Sequence, residues 1–229
     1  MKKIVIVALF FLIANISVFA QQAGQFTFGG RAGMGIGISN PVGFGALVSD
    51  SFYPGQNYAS SLENPEINFA FALYANFAIT DRIAIQTEFN FMYDQGYELR
   101  FSTSAGSRGV DVDYSSIDIP LLVRFTLINS PAIFGVQAGP HISIPVGRLE
   151  IYEDLETNYQ NERFRINSSF AFGVTAGLFA GFRAGPGRVV GDLRFVHDFN
   201  YLEATVQGNN VRFIERQAFV FTVGYEISL

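Results

Sequence analysis

Eight stretches of this 229-residue chain alternate large apolar residues with small, polar or charged ones at a period of two. Successive side chains of an extended strand point to opposite faces, so each stretch reads as a strand with one greasy face. In residues 216–229 the greasy face is Phe219, Phe221, Val223, Tyr225, Ile227 and Leu229, set against Ala218, Val220, Thr222, Gly224, Glu226 and Ser228. The other stretches are 26–39, 66–79, 82–95, 113–127, 133–146, 169–183 and 188–200. A transmembrane strand needs about 9–11 tilted residues, and all eight are long enough.

The faces opposite the greasy ones carry Arg31, Glu88, Asp118, Arg124, Asp192, Arg194 and Glu226. A soluble barrel would turn its apolar face inward and its charges outward. Seven charges on the same side as so many glycines and alanines are too many for a soluble exterior reversed into a core. The pattern fits an inverted molecule, apolar outside and charged within, which is the arrangement of a transmembrane barrel. No segment after the N-terminus has 18 uninterrupted apolar residues, which excludes a helical membrane protein.

The connections between these stretches run alternately long and short: 40–65, 80–81, 96–112, 128–132, 147–168, 184–187 and 201–215. Short turns at one end and long loops at the other are the asymmetry of an outer-membrane barrel. With both termini at the short-turn end, that end is expected in the periplasm and the four long loops outside the cell. The fold class expected is therefore all-β, an eight-stranded antiparallel up-and-down transmembrane β-barrel. Pro120 removes a ladder hydrogen bond and predicts an irregularity inside the fourth strand.

Residues 1–20 read as a cleaved signal peptide, with Lys2 and Lys3 before an apolar run and Val18-Phe19-Ala20 at the cleavage site. Residues 21–229 then form the barrel domain. Lys2 and Lys3 are the only lysines, so cleavage takes the net charge from −5 to −7 and leaves arginine as the only strong base. An acidic chain with scattered arginines is a poor nucleic-acid binder. Cysteine is absent, which removes disulfides, thiolate metal sites and cysteine nucleophiles.

Residues 117–124, Ile-Asp-Ile-Pro-Leu-Leu-Val-Arg, together with Gly139-Pro140-His141-Ile142-Ser143, Phe172-Gly173-Val174-Thr175-Ala176-Gly177 and Val223-Gly224-Tyr225-Glu226, resemble the PorT-like family of small outer-membrane β-barrel proteins. The resemblance spans nearly the whole mature chain, and its most specific element is the run around Pro120. It implies an eight-stranded barrel in the bacterial outer membrane. Two positions depart from the family pattern: His141 stands where an aromatic is usual, and Leu229 replaces the customary terminal Phe of the barrel assembly signal.

The inward charges comprise three arginines and four carboxylates, nearly balanced, as expected of an ion-pair network that fills a narrow lumen. His141 and Ser143 share a strand face, with Glu150 and Glu153 downstream. The set loosely resembles the serine, histidine and carboxylate of outer-membrane lipid A deacylases. Alternation turns His141 and Ser143 toward the lumen, however, and a hydrogen-bonded lumen histidine is the reading adopted. The other histidine, in His197-Asp198, is expected near the outer membrane interface, while Asp198 alternates to the face of Asp192 and Arg194; two isolated histidines make no metal cluster. Glu150, Glu153, Asp154, Glu156 and Glu162, interleaved with Tyr152 and Tyr159, read as a solvated acidic loop; their spacing is not that of a calcium loop. Phe44, Leu47, Phe52, Tyr53 and Tyr58 give the first long loop the composition of a contact surface.

The expected function is that of a small, non-enzymatic integral outer-membrane protein. Its lumen is filled, it has no catalytic, cofactor-binding or metal site, and its loops serve surface interaction or envelope integrity. The alternatives are a narrow channel for small or hydrophobic solutes, with lateral exit through the wall, and an accessory part of a secretion system. Expected partners are outer-membrane lipid, the barrel assembly machinery during biogenesis and an extracellular ligand at the loops; nucleic acid is not one, and the protein is expected to be monomeric.

Overall fold

A computed structural model describes residues 23–38, 59–65, 67–103, 106–155, 158–206 and 209–229. The expected signal peptide, residues 1–20, and residues 40–58 of the first long connection lie outside the described residues. Twelve strands run in chain order: β1(Phe26–Gly37), β2(Ala59–Pro65), β3(Ile67–Ala78), β4(Ile83–Thr103), β5(Gly106–Asn129), β6(Ala132–Leu155), β7(Asn158–Ile166), β8(Ala171–Ala184), β9(Gly187–Asp198), β10(Leu202–Val206), β11(Asn209–Ile214) and β12(Gln217–Ser228). Eight of them, β1, β3, β4, β5, β6, β8, β9 and β12, form the wall, each antiparallel to the next. The wall is closed by β6 on β8 and by β1 on β12, the latter in register from Thr27 opposite Ser228 to Gly37 opposite Ala218. Closure leaves the wall no free edge, which is the condition a sheet must meet to lie in hydrocarbon.

The eight expected segments correspond to these eight strands, but the long connections do not behave as loops. Segment 96–112 is strand on both sides: β4 and β5 stay paired from the barrel to Thr103 opposite Gly106. Segment 147–168 holds the upper part of β6, paired with β7, and segment 201–215 holds the β10–β11 hairpin, with β10 also bonded to β7. Within 40–65, residues Ala59–Pro65 form β2 against the upper part of β4. The barrel wall thus continues well past the membrane as paired ribbons. The reason is local: backbone groups left bare above the membrane are satisfied by continuing the ladder.

At the opposite end the turns are tight. The hydroxyl of Thr80 accepts the backbone N–H groups of Arg82 (3.2 Å) and Ile83 (2.9 Å) between β3 and β4. Gly185, at φ +63°, supplies the left-handed residue that the two-residue turn between β8 and β9 requires.

Pro120 has the predicted consequence, and Pro140 repeats it one strand away. The β4–β5 pairing is interrupted between Thr87–Leu121 and Asn90–Asp118, and the β5–β6 pairing between Pro120–His141 and Val123–Ala138, without a change of register at either place. A proline has no N–H to give its neighbour, so each costs one ladder bond. The alternation survives Pro120 but shifts higher up β4. A bulge between Met92 and Gln95 turns Gln95 inward, where simple period-two counting would send it out.

Outside, an apolar band runs around the barrel, with Phe71, Leu73, Phe89, Leu121, Val123, Leu178 and Phe221 all exposed. Aromatic pairs mark its two margins. Phe26 and Phe77 (4.7 Å between centroids) lie at the short-turn end, and Phe195 with Phe219 (5.3 Å) and Phe172 with Phe199 (5.8 Å) at the other, as in the girdles of such barrels. Leu73 lies midway along β3 and is 70% exposed. Leu73→Arg is expected to cost about 2–4 kcal/mol in lipid, read as a lower urea midpoint for folding into vesicles.

Candidate functional site

The chemistry of this chain is concentrated in the lumen, which is built by the inward residues of every wall strand. Its charges sit in three levels. Nearest the short turns, Glu226 of β12 is held by Arg188 Nε (3.0 Å), by the Tyr74 hydroxyl (3.2 Å) and, more loosely, by Arg124 (3.8 Å). Arg124 also donates to Gln86 Oε1 (2.7 Å), and its guanidinium lies 3.8 Å from the centre of the Phe179 ring. Phe179, Ile133 and Val190 form an apolar plug at this level.

In the middle, Glu88 of β4 accepts two parallel hydrogen bonds from Arg194, Nη1 to Oε2 (2.7 Å) and Nη2 to Oε1 (2.8 Å). It also accepts from Arg31 and from Gln86. Asp192 answers the same two arginines, through Arg31 Nη1 and Arg194 Nε (2.8 Å). Fork-on-fork pairing of this kind is specific to guanidinium, which is why arginine and not lysine serves here. On β1, two residues from Arg31, Gly33 lies tight against β12, where a Cβ would lie only 2.6 Å from Thr222 Cα.

Nearest the long hairpins, Arg216 reaches Asp118 (2.8 and 3.1 Å), Asp198 (3.0 Å), Gln95 (3.0 Å) and Ser116 (3.2 Å). His141 Nε2 is 2.6 Å from Asp198 Oδ1 and its Nδ1 3.0 Å from Thr175 Oγ1. The carboxylate can only accept, so Nε2 donates to Asp198, while Nδ1 and the Thr175 hydroxyl pair with each other.

All seven charges expected inside are buried there, and His141 is the hydrogen-bonded lumen histidine expected of it. Two participants, Arg188 and Arg216, are not among the charges that the alternation singles out. Asp198 lies on the inward face with Asp192 and Arg194, as the alternation of its strand predicts. Asp198 is 1% exposed and turns into the lumen, whereas His197 faces outward between Phe195 and Phe199. Among the described residues the lumen therefore holds five arginines and five carboxylates, a full balance where the sequence indicated a near balance.

A serine hydrolase site does not assemble. Ser143 is buried but its hydroxyl makes no hydrogen bond, and both nitrogens of His141 are engaged elsewhere. The side chains of Glu150 and Glu153, like the rest of the acidic segment, lie outside the described set. No group of three or more potential metal ligands occurs among the described residues. His141→Phe would strip Thr175 of its hydrogen-bond partner and Asp198 of one donor. The expected loss is about 1–3 kcal/mol, visible as a lower urea midpoint.

A closed eight-stranded barrel, apolar outside and charge-paired within, is a small integral protein of the bacterial outer membrane. The outer membrane protein beta-barrel domain family matches residues 19–202, and the chain belongs to that family. Among solved structures, it is similar to the outer membrane protein OprG from Pseudomonas aeruginosa, at TM-score 0.47 and 8% identity over 92% of this chain and 99% of that one. Neisserial surface protein A is similar at TM-score 0.44 and 11% identity, over 88% and 96% of the two chains. The attachment invasion locus protein Ail of Yersinia pestis is similar at TM-score 0.40 and 9% identity, over 90% and 100%. A comparison with curated protein sequences finds no match.

Proposed function

We propose that this is a non-enzymatic barrel of the PorT-like kind, whose filled lumen makes it a rigid membrane anchor for extracellular hairpins that serve surface contact or envelope integrity. The observation that carries the reading is the pairing across the lumen. Arg31, Arg194 and Glu88, from three different strands, meet across its centre, which supports a filled lumen. A barrel stiffened in this way presents its hairpins from a fixed rim, and rigid scaffolds are where binding loops work. In this reading the protein is a monomer in outer-membrane lipid. It meets the barrel assembly machinery during biogenesis, takes an extracellular ligand at the hairpins and has no catalytic role and no nucleic-acid partner.

Two measurements test it. Purified protein in planar bilayers is expected to give no unitary conductance steps; reproducible steps would favour the narrow-channel alternative. A strain lacking the gene should regain detergent resistance with the full chain but not with a barrel whose hairpins are cut to short turns. Equal rescue by both would remove the hairpins from the function, and a deletion that affected only secretion would favour the accessory role.

A further inference from the structure

Between the middle and upper charge clusters lies a cavity of about 10 Å³. Arg31 and Arg194 border it from the middle cluster, Asp118 and Thr175 from the upper one, and Asn90 and Thr222 from the wall. Asn90 is 9% exposed and Thr222 is 3% exposed, yet Asn90 Oδ1 and Thr222 Oγ1 have no hydrogen-bond partner in the protein. Arg31 Nε also lacks one. A buried polar atom without a partner is costly, and three of them around one small space point to something that satisfies them together.

The lining identifies the occupant's chemistry. A cation would face Arg31 and Arg194, and an anion would face Asp118 and the Asn90 carbonyl oxygen, so a monatomic ion of either sign meets repulsion. A neutral molecule that both donates and accepts fits: it donates to Asn90 Oδ1 and accepts from Arg31 Nε, with the Thr222 hydroxyl free to do either. A space of about 10 Å³ with two to four polar partners is the size and character of a single-water site. We propose that the cavity holds one ordered water molecule and that this water joins the two charge clusters. Its second hydrogen, given to Thr175 Oγ1 on the cavity border, links the chain Asp198–His141–Thr175 to Arg31, Glu88 and Arg194, and the lumen charges act as one network.

Thr222→Val tests the water through the sign of its effect. If Thr222 Oγ1 has no partner, replacing it with a methyl group of the same shape removes a penalty, and the urea midpoint should rise or stay put. If a water binds there, the same change strips the water of a partner, and the midpoint should fall. The inference expects a fall for Thr222→Val and for Asn90→Leu, with the double variant falling by less than the sum because the water is lost only once. A midpoint that rises or stays put in Thr222→Val, or strict additivity, would overturn it. A high-resolution crystal structure of the unaltered protein supplies a readout independent of variant folding. A density peak within hydrogen-bond distance of Asn90 and Thr222 is expected. The absence of a peak, or an anomalous signal there in bromide-grown crystals, would rule the water out.

Discussion

Glu88→Ala is expected to lower the folding free energy of the barrel by about 3–5 kcal/mol, the range for breaking a fully buried ion pair by removing one partner. Glu88 is the acceptor for both Arg194 and Arg31, and its side chain is wholly buried. Without it, two guanidinium groups share Asp192 alone and one positive charge stands unanswered in a closed lumen. Glu88→Gln keeps the volume and loses the charge, so it separates an electrostatic loss from a cavity; most of the destabilisation should remain. Replacing Glu88 and Arg194 together by leucine and methionine restores the charge balance, and a buried pair exchanged for apolar residues of similar volume is often neutral. The double variant is therefore expected to recover most of what Glu88→Ala loses. Urea titration of the barrel in vesicles, followed by its shift on unheated gels, measures all three. A loss below about 1 kcal/mol for Glu88→Ala, within the range of a surface ion pair, would mean that water reaches this site.

The wall of this barrel was legible because its selection pressure is periodic. Lipid demands an apolar residue at every second position, and Phe69, Phe71 and Leu73 against Ala70, Ala72 and Tyr74 record that demand directly. Pro120 was legible for a different reason: the missing N–H is a property of the residue itself, and the ladder breaks there whatever the neighbours are. Depth along the strand has no such record. Asp198 falls on the inward face by counting, but nothing in the period states whether that position lies above the membrane rim or below it. The hairpins were hidden by the same limit. In segments 96–112 and 147–168 the alternation runs on, Tyr97, Leu99 and Phe101 against Glu98, Arg100 and Ser102 and Leu149 and Ile151 against Arg148 and Glu150, and the backbones go on pairing; the period does not say where the membrane stops and the strand continues. The bulge between Met92 and Gln95 escapes counting for a different reason: it changes the parity of the β4 residues after it, and the one residue that signals it, Gly96, falls where the stretch 82–95 ends and reads equally well as the start of a loop.

Arg216 is the residue for which this matters most, because it sits just before β12 and could be read as loop or strand. Its environment settles its weight: it is 2% exposed and spans Asp118 on β5 and Asp198 on β9. The backbone carbonyl of Arg216 also accepts the Asp198 N–H (2.9 Å), so the segment that carries the guanidinium is fixed to β9 before the side chain makes any contact. Arg216→Leu removes the only arginine that faces these two carboxylates among the described residues. Asp198 would keep His141, while Asp118 would keep little beyond Ser116 (3.0 Å). The expected cost is about 3–5 kcal/mol, comparable to that at Glu88, because again a buried charge loses its counter-ion. Arg216→Lys separates charge from geometry. A single ammonium can neutralise the pair but cannot fork to both carboxylates, Gln95 and Ser116 at once, so roughly half the loss should persist. If lysine restored full stability, the planar fork would be irrelevant and Arg216 would act as a point charge. If leucine were tolerated as well, the upper cluster would be open to solvent, contrary to the burial of Arg216, Asp118, Asp198 and His141 together.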